Sequence, residues 1–174
     1  MAQGQGYGCE LHGGGAEVTI EISDLQNLPK LKPEVARRMW KAWWEPYGNS
    51  FQNVLDHINE IPATRGIPFG LVAHENENYV GSVLGIASDL EARPNLTPWV
   101  AALWVDPQFR KQGIATSLMK ATLAEIFALG HSKTYLCATA EKRGSYQRFG
   151  WHLIEEGVGG DTLDVFEISK SQNL

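Results

Sequence analysis

From Val105 to Ser117 the chain reads Val-Asp-Pro-Gln-Phe-Arg-Lys-Gln-Gly-Ile-Ala-Thr-Ser, a segment suited to holding a phosphate. It follows an apolar run and leads into a helical pattern, so it joins a strand to a helix start. A helix start offers backbone N–H groups without intrahelical acceptors and the positive end of the dipole. Gly113 omits a side chain where a diphosphate approaches the backbone. Ala115 keeps the same surface small, and Arg110 and Lys111 bring positive charge. No GxxxxGK[ST] loop is present, which argues against a Walker-type nucleotide site. No GxGxxG is followed by an acidic residue about twenty positions on, which argues against a dinucleotide fold. The same residues also suit an ordinary strand-to-helix turn, since short motifs recur by chance.

The elements around this segment follow from periodicity. Residues 18–23 alternate and are rich in β-formers, which predicts a strand. Lys32-Pro33 opens a helix with proline in its first turn, and Pro46 and Gly48 end it. Ser50 caps a second helix over 51–61, with Val54, Leu55 and Ile58 on one face. Residues 68–74 and 79–87 flank the polar turn 75–78, an antiparallel hairpin. Residues 88–98 make a connecting loop broken by Pro94 and Pro98. Residues 99–105 read as a strand covered on both faces. A long helix runs from Gln112 to Leu129, with Ile114, Leu118, Met119, Leu123, Ile126 and Phe127 as its apolar stripe. Residues 134–139 form the next strand, and strand–helix–strand in this order implies a right-handed parallel crossover. A short helix over 143–149 stops at Gly150. Two closing strands, 151–156 and 163–169, surround the turn 157–161.

The chain has 174 residues, 43% hydrophobic and 20% charged. That suits one globular domain over residues 18–174, able to fold without staples. Residues 1–17 are glycine-rich and lack apolar periodicity, so we expect a flexible tail. The net charge of −5 argues against a nucleic-acid partner. Cys9 and Cys137 belong to no metal-ligand or redox pattern, so no metal is expected. No membrane-length apolar run and no secretory signal are visible, and a cytoplasmic protein is the simplest expectation.

Two motifs carry a resemblance to a known family. Arg110-Lys-Gln-Gly113-Ile-Ala115 resembles the R/Q-x-x-G-x-G/A signature of the GNAT superfamily of N-acetyltransferases. Tyr146-Gln-Arg-Phe-Gly150-Trp151 resembles its second signature, a tyrosine followed by a glycine and an aromatic residue at the next strand. The element order is similar too, over roughly residues 18 to 170. The resemblance implies a mixed α/β (α+β), largely antiparallel central sheet with flanking helices and a V-shaped splay between the central strand and the following parallel strand. It implies acetyl-CoA as co-substrate, lying in that gap. The pantetheine arm would pair with the backbone of Leu103, Trp104 and Val105. The pyrophosphate would sit on amides of Arg110, Lys111, Gln112, Gly113, Ile114 and Ala115, with Thr116 at the edge. Many members carry a coenzyme-contacting asparagine just after the parallel strand, a place that falls to Thr139 here. Asp106 and Pro107 would shape the turn without touching the coenzyme.

The implied reaction is acetyl transfer to a primary amine, with a small-molecule acceptor, a protein lysine or N-terminus, or a non-catalytic coenzyme-binding role as the readings. The amine must lose its proton to attack, the oxyanion needs a donor, and the leaving thiolate benefits from a proton. The resemblance makes Tyr146 the proton donor and a backbone N–H near Trp104 or Val105 the oxyanion donor. A tyrosine that merely packs its ring is the alternative. Asp89, Glu91 and His74 are candidate bases at strand ends, each equally readable as a solvated surface residue. Cys137 has no cationic partner nearby in sequence and reads as an inert thiol, so transfer is expected to be direct. Trp40, Trp43, Trp44 and Tyr47 follow i, i+3, i+4, i+7 spacing, which predicts a core-facing stripe, with one or two rings free to wall the acceptor site. The loop 89–97 is either a cover for the acceptor or a plain connector. Members of the family often pair, so a homodimer is among the expected assemblies.

Overall fold

The computed structural model describes residues 7–9 and 19–172. The chain forms two compact units, Met1–Leu84 with Ala102–Ala121, and Gly85–Ala101 with Thr122–Leu174. In chain order the elements are β1 (Tyr7–Cys9), β2 (Ile20–Asp24), α1 (Lys32–Met39), α2 (Phe51–Asn59), β3 (Phe69–Glu75), β4 (Asn78–Ile86), β5 (Trp99–Val105), α3 (Ile114–Ala128), β6 (Lys133–Ala138), α4 (Arg143–Arg148), β7 (His152–Val158) and β8 (Leu163–Ser169). The result is the expected mixed, largely antiparallel α/β architecture, with β5 and β6 parallel.

In the first unit the strand order is β1-β2-β3-β4-β5. β2 shows the alternation its sequence predicts, with Ile20 and Ile22 buried and Glu21 exposed. It pairs antiparallel with β3, Ile22 facing Ala73. Residues 7–9, which composition assigns to the flexible tail, form a short strand antiparallel to β2. The remainder of that expected tail lies outside the described residues. α1 begins with Pro33 in its first turn and buries Val35, Ala36 and Met39. Ser50 caps α2, its hydroxyl accepting from the Asn53 N–H at 3.2 Å. Gly48 adopts φ 78°, the left-handed geometry that frees the chain from the preceding helical turn.

In the second unit the order is β5-β6-β8-β7. β5 enters parallel to β6 with Trp99 opposite Tyr135. β6 and β7 both run antiparallel to β8. Trp99, Tyr135, Val158 and Val165 form a buried cluster, with Ile86, Leu90, Leu96 and Cys137 packed on it. α3 carries its predicted stripe inward: Ile114, Leu118, Met119, Leu123, Ile126 and Phe127 are all buried. Each such aliphatic side chain contributes about 1.5–3 kcal/mol on burial.

The aromatic stripe behaves differently from its spacing. After Met39 the helix widens into a π-turn over Trp40–Trp44. One extra residue per turn rotates the following side chains off the core face. Trp43 is 37% exposed and Tyr47 73% exposed, and Trp40 and Trp44 are half-buried. The core face of this helix is instead Val35, Ala36 and Met39.

Candidate active site

One group of candidate residues is built on β5. Ala102, in the middle of that strand, has φ 52°. A left-handed non-glycine residue in a strand is strained by roughly 1–3 kcal/mol, and such strain collects at functional sites. Beyond it, Gly81 of β4 backs onto β5 so closely that a Cβ there would stand 2.8 Å from the Trp104 carbonyl oxygen. The Asp106 N–H donates to the Val80 carbonyl at 2.9 Å. The peptide groups of Trp104 and Asp106 therefore turn toward β4. By strand alternation those of Leu103 and Val105 turn to the opposite edge. Of the three residues expected to pair with pantetheine, Leu103 and Val105 have their backbone on the edge away from β4, where the Val105 carbonyl already accepts from Arg110, and Trp104 does not.

The loop after β5 is held by side chains the sequence placed there as charge. Arg110 Nε donates to the Val105 carbonyl at 2.9 Å, and its guanidinium lies 4.8 Å from the Trp104 ring centroid. Arg110 is thus a staple across the loop as well as a positive charge. Lys111 (φ 62°) and Gly113 (φ 81°) are both left-handed. Two such residues within three positions curl the backbone in the way that makes successive N–H groups converge on an anion. The first α-helical bond of α3 runs from the Ser117 N–H to the Gly113 carbonyl at 3.0 Å. The N–H groups of Ile114, Ala115 and Thr116 precede it and have no acceptor within the helix. A Cβ at Gly113 would meet nothing within 4 Å, so the space beside this backbone is open. The Gln112 amide folds back toward the Gln108 carbonyl at 3.3 Å.

Asp106, expected only to shape the turn, is buried and binds Arg38 through both oxygens, Nε to Oδ1 at 2.6 Å and Nη2 to Oδ2 at 2.9 Å. The Trp104 indole N–H adds a third bond to Oδ1 at 3.1 Å. Arg38 also reaches Glu34 one turn back at 2.7 Å. Trp43 meets Trp104 edge-on, centroids 6.0 Å apart and planes at 84°. Arg38, Lys41, Ala42, Trp104, Asp106, Pro107 and Gln108 line a cleft of about 620 Å³.

A separate group of candidate residues, in the second unit, is built on α4. Tyr146 is half-buried, its ring tilted 47° against Phe166 of β8 at 5.6 Å. Burial, and then the nearby Cys137 sulfur, push its phenol above the ordinary tyrosine value, so it stays protonated through neutral pH. Arg143, one turn earlier, fixes the helix: Nε donates to Asp164 Oδ2 at 2.8 Å and Nη2 to Glu156 Oε2 at 2.9 Å. Gly150 (φ 87°) ends the turn, and the Trp151 N–H donates to the Tyr146 carbonyl at 3.1 Å. Thr139 is exposed, and its hydroxyl donates to Glu141 Oε1 at 3.3 Å.

The candidate bases separate clearly. His74 is buried, against the expectation of a surface residue, and both ring nitrogens are engaged. Nδ1 faces the Asn76 carbonyl and must donate, so Nε2 accepts from Ser23 Oγ at 3.0 Å. Glu91 is exposed. Asp89 is exposed at its surface while Oδ2 accepts from the Cys137 thiol at 3.3 Å. Burial, joined by the Asp89 charge, pushes that thiol up to about 12. It is not a thiolate at neutral pH, as expected of an inert cysteine.

Residues 36–151 match the family model described as the acetyltransferase (GNAT) family. The match covers more than half of the chain, and the chain belongs to that acetyl-CoA-dependent acetyltransferase family. Among solved structures the chain is similar to an acetyltransferase from Streptococcus agalactiae 2603, with TM-score 0.65 and 15% identity over 86% of this chain and 98% of that one. It is similar to an aminoglycoside 6'-N-acetyltransferase complexed with coenzyme A, with TM-score 0.66 and 17% identity over 85% and 96%. It is also similar to Ard1 from Thermoplasma volcanium, with TM-score 0.61 and 18% identity over 85% and 94%. At these identities the likeness is one of fold. No curated protein sequence matches the chain significantly. Among the described residues no helix is long and apolar enough to cross a membrane.

Proposed function

We propose that the protein transfers an acetyl group from acetyl-CoA directly to a primary amine of a small molecule. The observation that carries this reading is the mouth of α3: left-handed Lys111 and Gly113, unbonded amides from Ile114 to Thr116, and open space where a Gly113 side chain would stand. The pyrophosphate binds those amides, with Lys111 adding charge and Arg110 holding the loop in shape. The pantetheine arm pairs with Leu103 and Val105 on the edge of β5 away from β4. Thr116 and Thr139 border the coenzyme.

Tyr146 gives its proton to the leaving sulfur, a role its elevated phenol suits because it remains a donor at neutral pH. The Val105 N–H is the oxyanion donor, since it shares that edge of β5. The thiol of Cys137, pushed up to about 12, is a poor nucleophile, which supports transfer without an acetyl-enzyme.

Two features support a small acceptor. The exposed Trp43 and Tyr47 rings offer faces to a cation. The cleft beside Trp104, about 620 Å³, falls in the size range of small-molecule sites. The decisive test is calorimetry with acetyl-CoA followed by a thiol-release screen of aminoglycosides, polyamines, amino sugars and lysine peptides. Binding of the coenzyme with turnover of a small amine supports the reading. Turnover of peptides alone moves the acceptor class to proteins, and no affinity for acetyl-CoA removes the reading altogether.

A further inference from the structure

The loop between β4 and β5 is held down along its length. Leu90 and Leu96 pack on the Trp99–Tyr135–Val158–Val165 cluster. The Arg93 N–H donates to the Leu90 carbonyl at 2.9 Å, and the Leu96 N–H to the Arg93 carbonyl at 3.2 Å. The Trp99 indole donates to the Leu96 carbonyl at 2.6 Å. The Arg93 guanidinium grips Glu155 of β7, Nε to Oε1 at 2.8 Å. Across the β7–β8 turn, Gly159 lies under Leu90 and Ala92.

What the anchoring fixes is Asp89. Its residue keeps solvent access, its Oδ2 rests on the Cys137 thiol at 3.3 Å, and the Cys137 sulfur is the second cause, after burial, that raises the Tyr146 phenol. A thiol is a weak donor, so the carboxylate keeps most of its accepting capacity for something cationic. We infer that Asp89 is the catalytic base of this enzyme: it receives the acceptor ammonium and takes its first proton. The inference rests on the amine-transferase reading above and deepens it.

The atoms balance as follows. The ammonium gives one proton to Asp89, and the nitrogen lone pair forms the C–N bond to the thioester carbon. The C–S bond breaks as the Tyr146 proton passes to sulfur. The second nitrogen proton returns to the tyrosinate oxygen, and Asp89 releases its own proton to water. One thiol, one amide and one proton leave per turnover.

Protein packed about the Asp89 carboxyl pushes it above the ordinary carboxylate range, and the Cys137 hydrogen bond pulls partly against that. The titratable group facing Asp89 from β6 is Cys137, whose sulfur also helps raise the Tyr146 phenol of α4. Arg93 on the same loop is paired with Glu155 of β7. The acidic limb of kcat/KM therefore belongs to Asp89 and lies above the usual carboxylate value.

The test measures kcat/KM against pH with kanamycin, spermidine and glucosamine as acceptors, beside calorimetry of acetyl-CoA on every variant. Asp89→Asn should lower kcat/KM by about 10²-fold or more and abolish the acidic limb, with the Kd for acetyl-CoA unchanged. Cys137→Ala, which removes the counteracting hydrogen bond, should move the limb to higher pH, and this variant serves if Asp89→Asn fails to fold. An active wild type whose Asp89→Asn variant keeps its rate and its acidic limb overturns the inference, as does a limb that Cys137→Ala leaves in place. A wild type that binds acetyl-CoA and turns over none of the three amines overturns it together with the small-amine reading.

Discussion

The guanidinium of Arg38 on α1 holds both carboxylate oxygens of Asp106 at the end of β5, at 2.6 and 2.9 Å. This pair ties the first helix to the turn that begins the phosphate loop. Burial alone would push the Asp106 carboxyl up, but hydrogen bonds from Arg38 and Trp104, with the charges of Arg38 and Arg110, outweigh it and hold the carboxyl below its ordinary value. A carboxyl lowered by folding stabilises fully above its unfolded value and loses that contribution as pH falls through its folded one. Asp106→Asn should cost about 1–3 kcal/mol near neutrality, as for hydrogen bonds to a charged group. Thermal unfolding of both proteins across pH checks this: the gap between them should narrow in acid, below roughly pH 4.

Gly113→Val separates folding from coenzyme binding. Its left-handed backbone makes any side chain strained, by roughly 1–2 kcal/mol, yet beyond its chain neighbours no protein atom lies within 4 Å of the added Cβ. The variant should remain folded and lose affinity for acetyl-CoA by at least tenfold, about 1.4 kcal/mol. Calorimetry and a melting curve on the same sample read both quantities.

Tyr146→Phe removes the proposed acid while leaving the ring on Phe166. We expect kcat to fall by about 10²-fold, with the Kd for acetyl-CoA unchanged. An acyl donor whose thioester has a low-pKa thiol leaving group should recover part of the loss, because that sulfur needs less help. A variant with unaltered kcat across pH would remove Tyr146 from the chemistry.

Trp43→Leu probes the acceptor side. The ring is 37% exposed and leans edge-on to Trp104, so little core packing is lost. The expected result is a rise in KM for the amine of about 3- to 10-fold, in the range of a cation–π contact, with a small change in Tm. A drop in Tm with an unchanged KM would make the ring a packing element only.

Much of the fold was readable in the sequence because its signals are local. Gly48 ends the turn before α2 and Ser50 begins the helix, by left-handed geometry and capping that depend only on neighbours. The uninterrupted run 99–105 follows from cover on both faces and the stripe of α3 from burial of one, and burial is what such patterns report. The aromatic stripe misled for a physical reason: i, i+3, i+4 spacing assumes 3.6 residues per turn, and the π-turn at Trp40–Trp44 breaks that assumption. Nothing local announces the Arg38–Asp106 pair, whose members stand 68 positions apart. Asp89 was visible as an acidic residue in a loop, but its thiol partner 48 positions on was not. The left-handed Ala102 was equally hidden, since alanine carries no sequence mark for that geometry.

Gly81 sets the seat of β5 from behind by the lack of a single carbon. Even a methyl group at that position would shove the Trp104 peptide outward, and the displacement would pass along the strand to Val105 and the mouth of α3. Anyone broadening the acceptor range by random mutagenesis should therefore find position 81 intolerant, although it lies on a strand to which no step of the chemistry has been assigned.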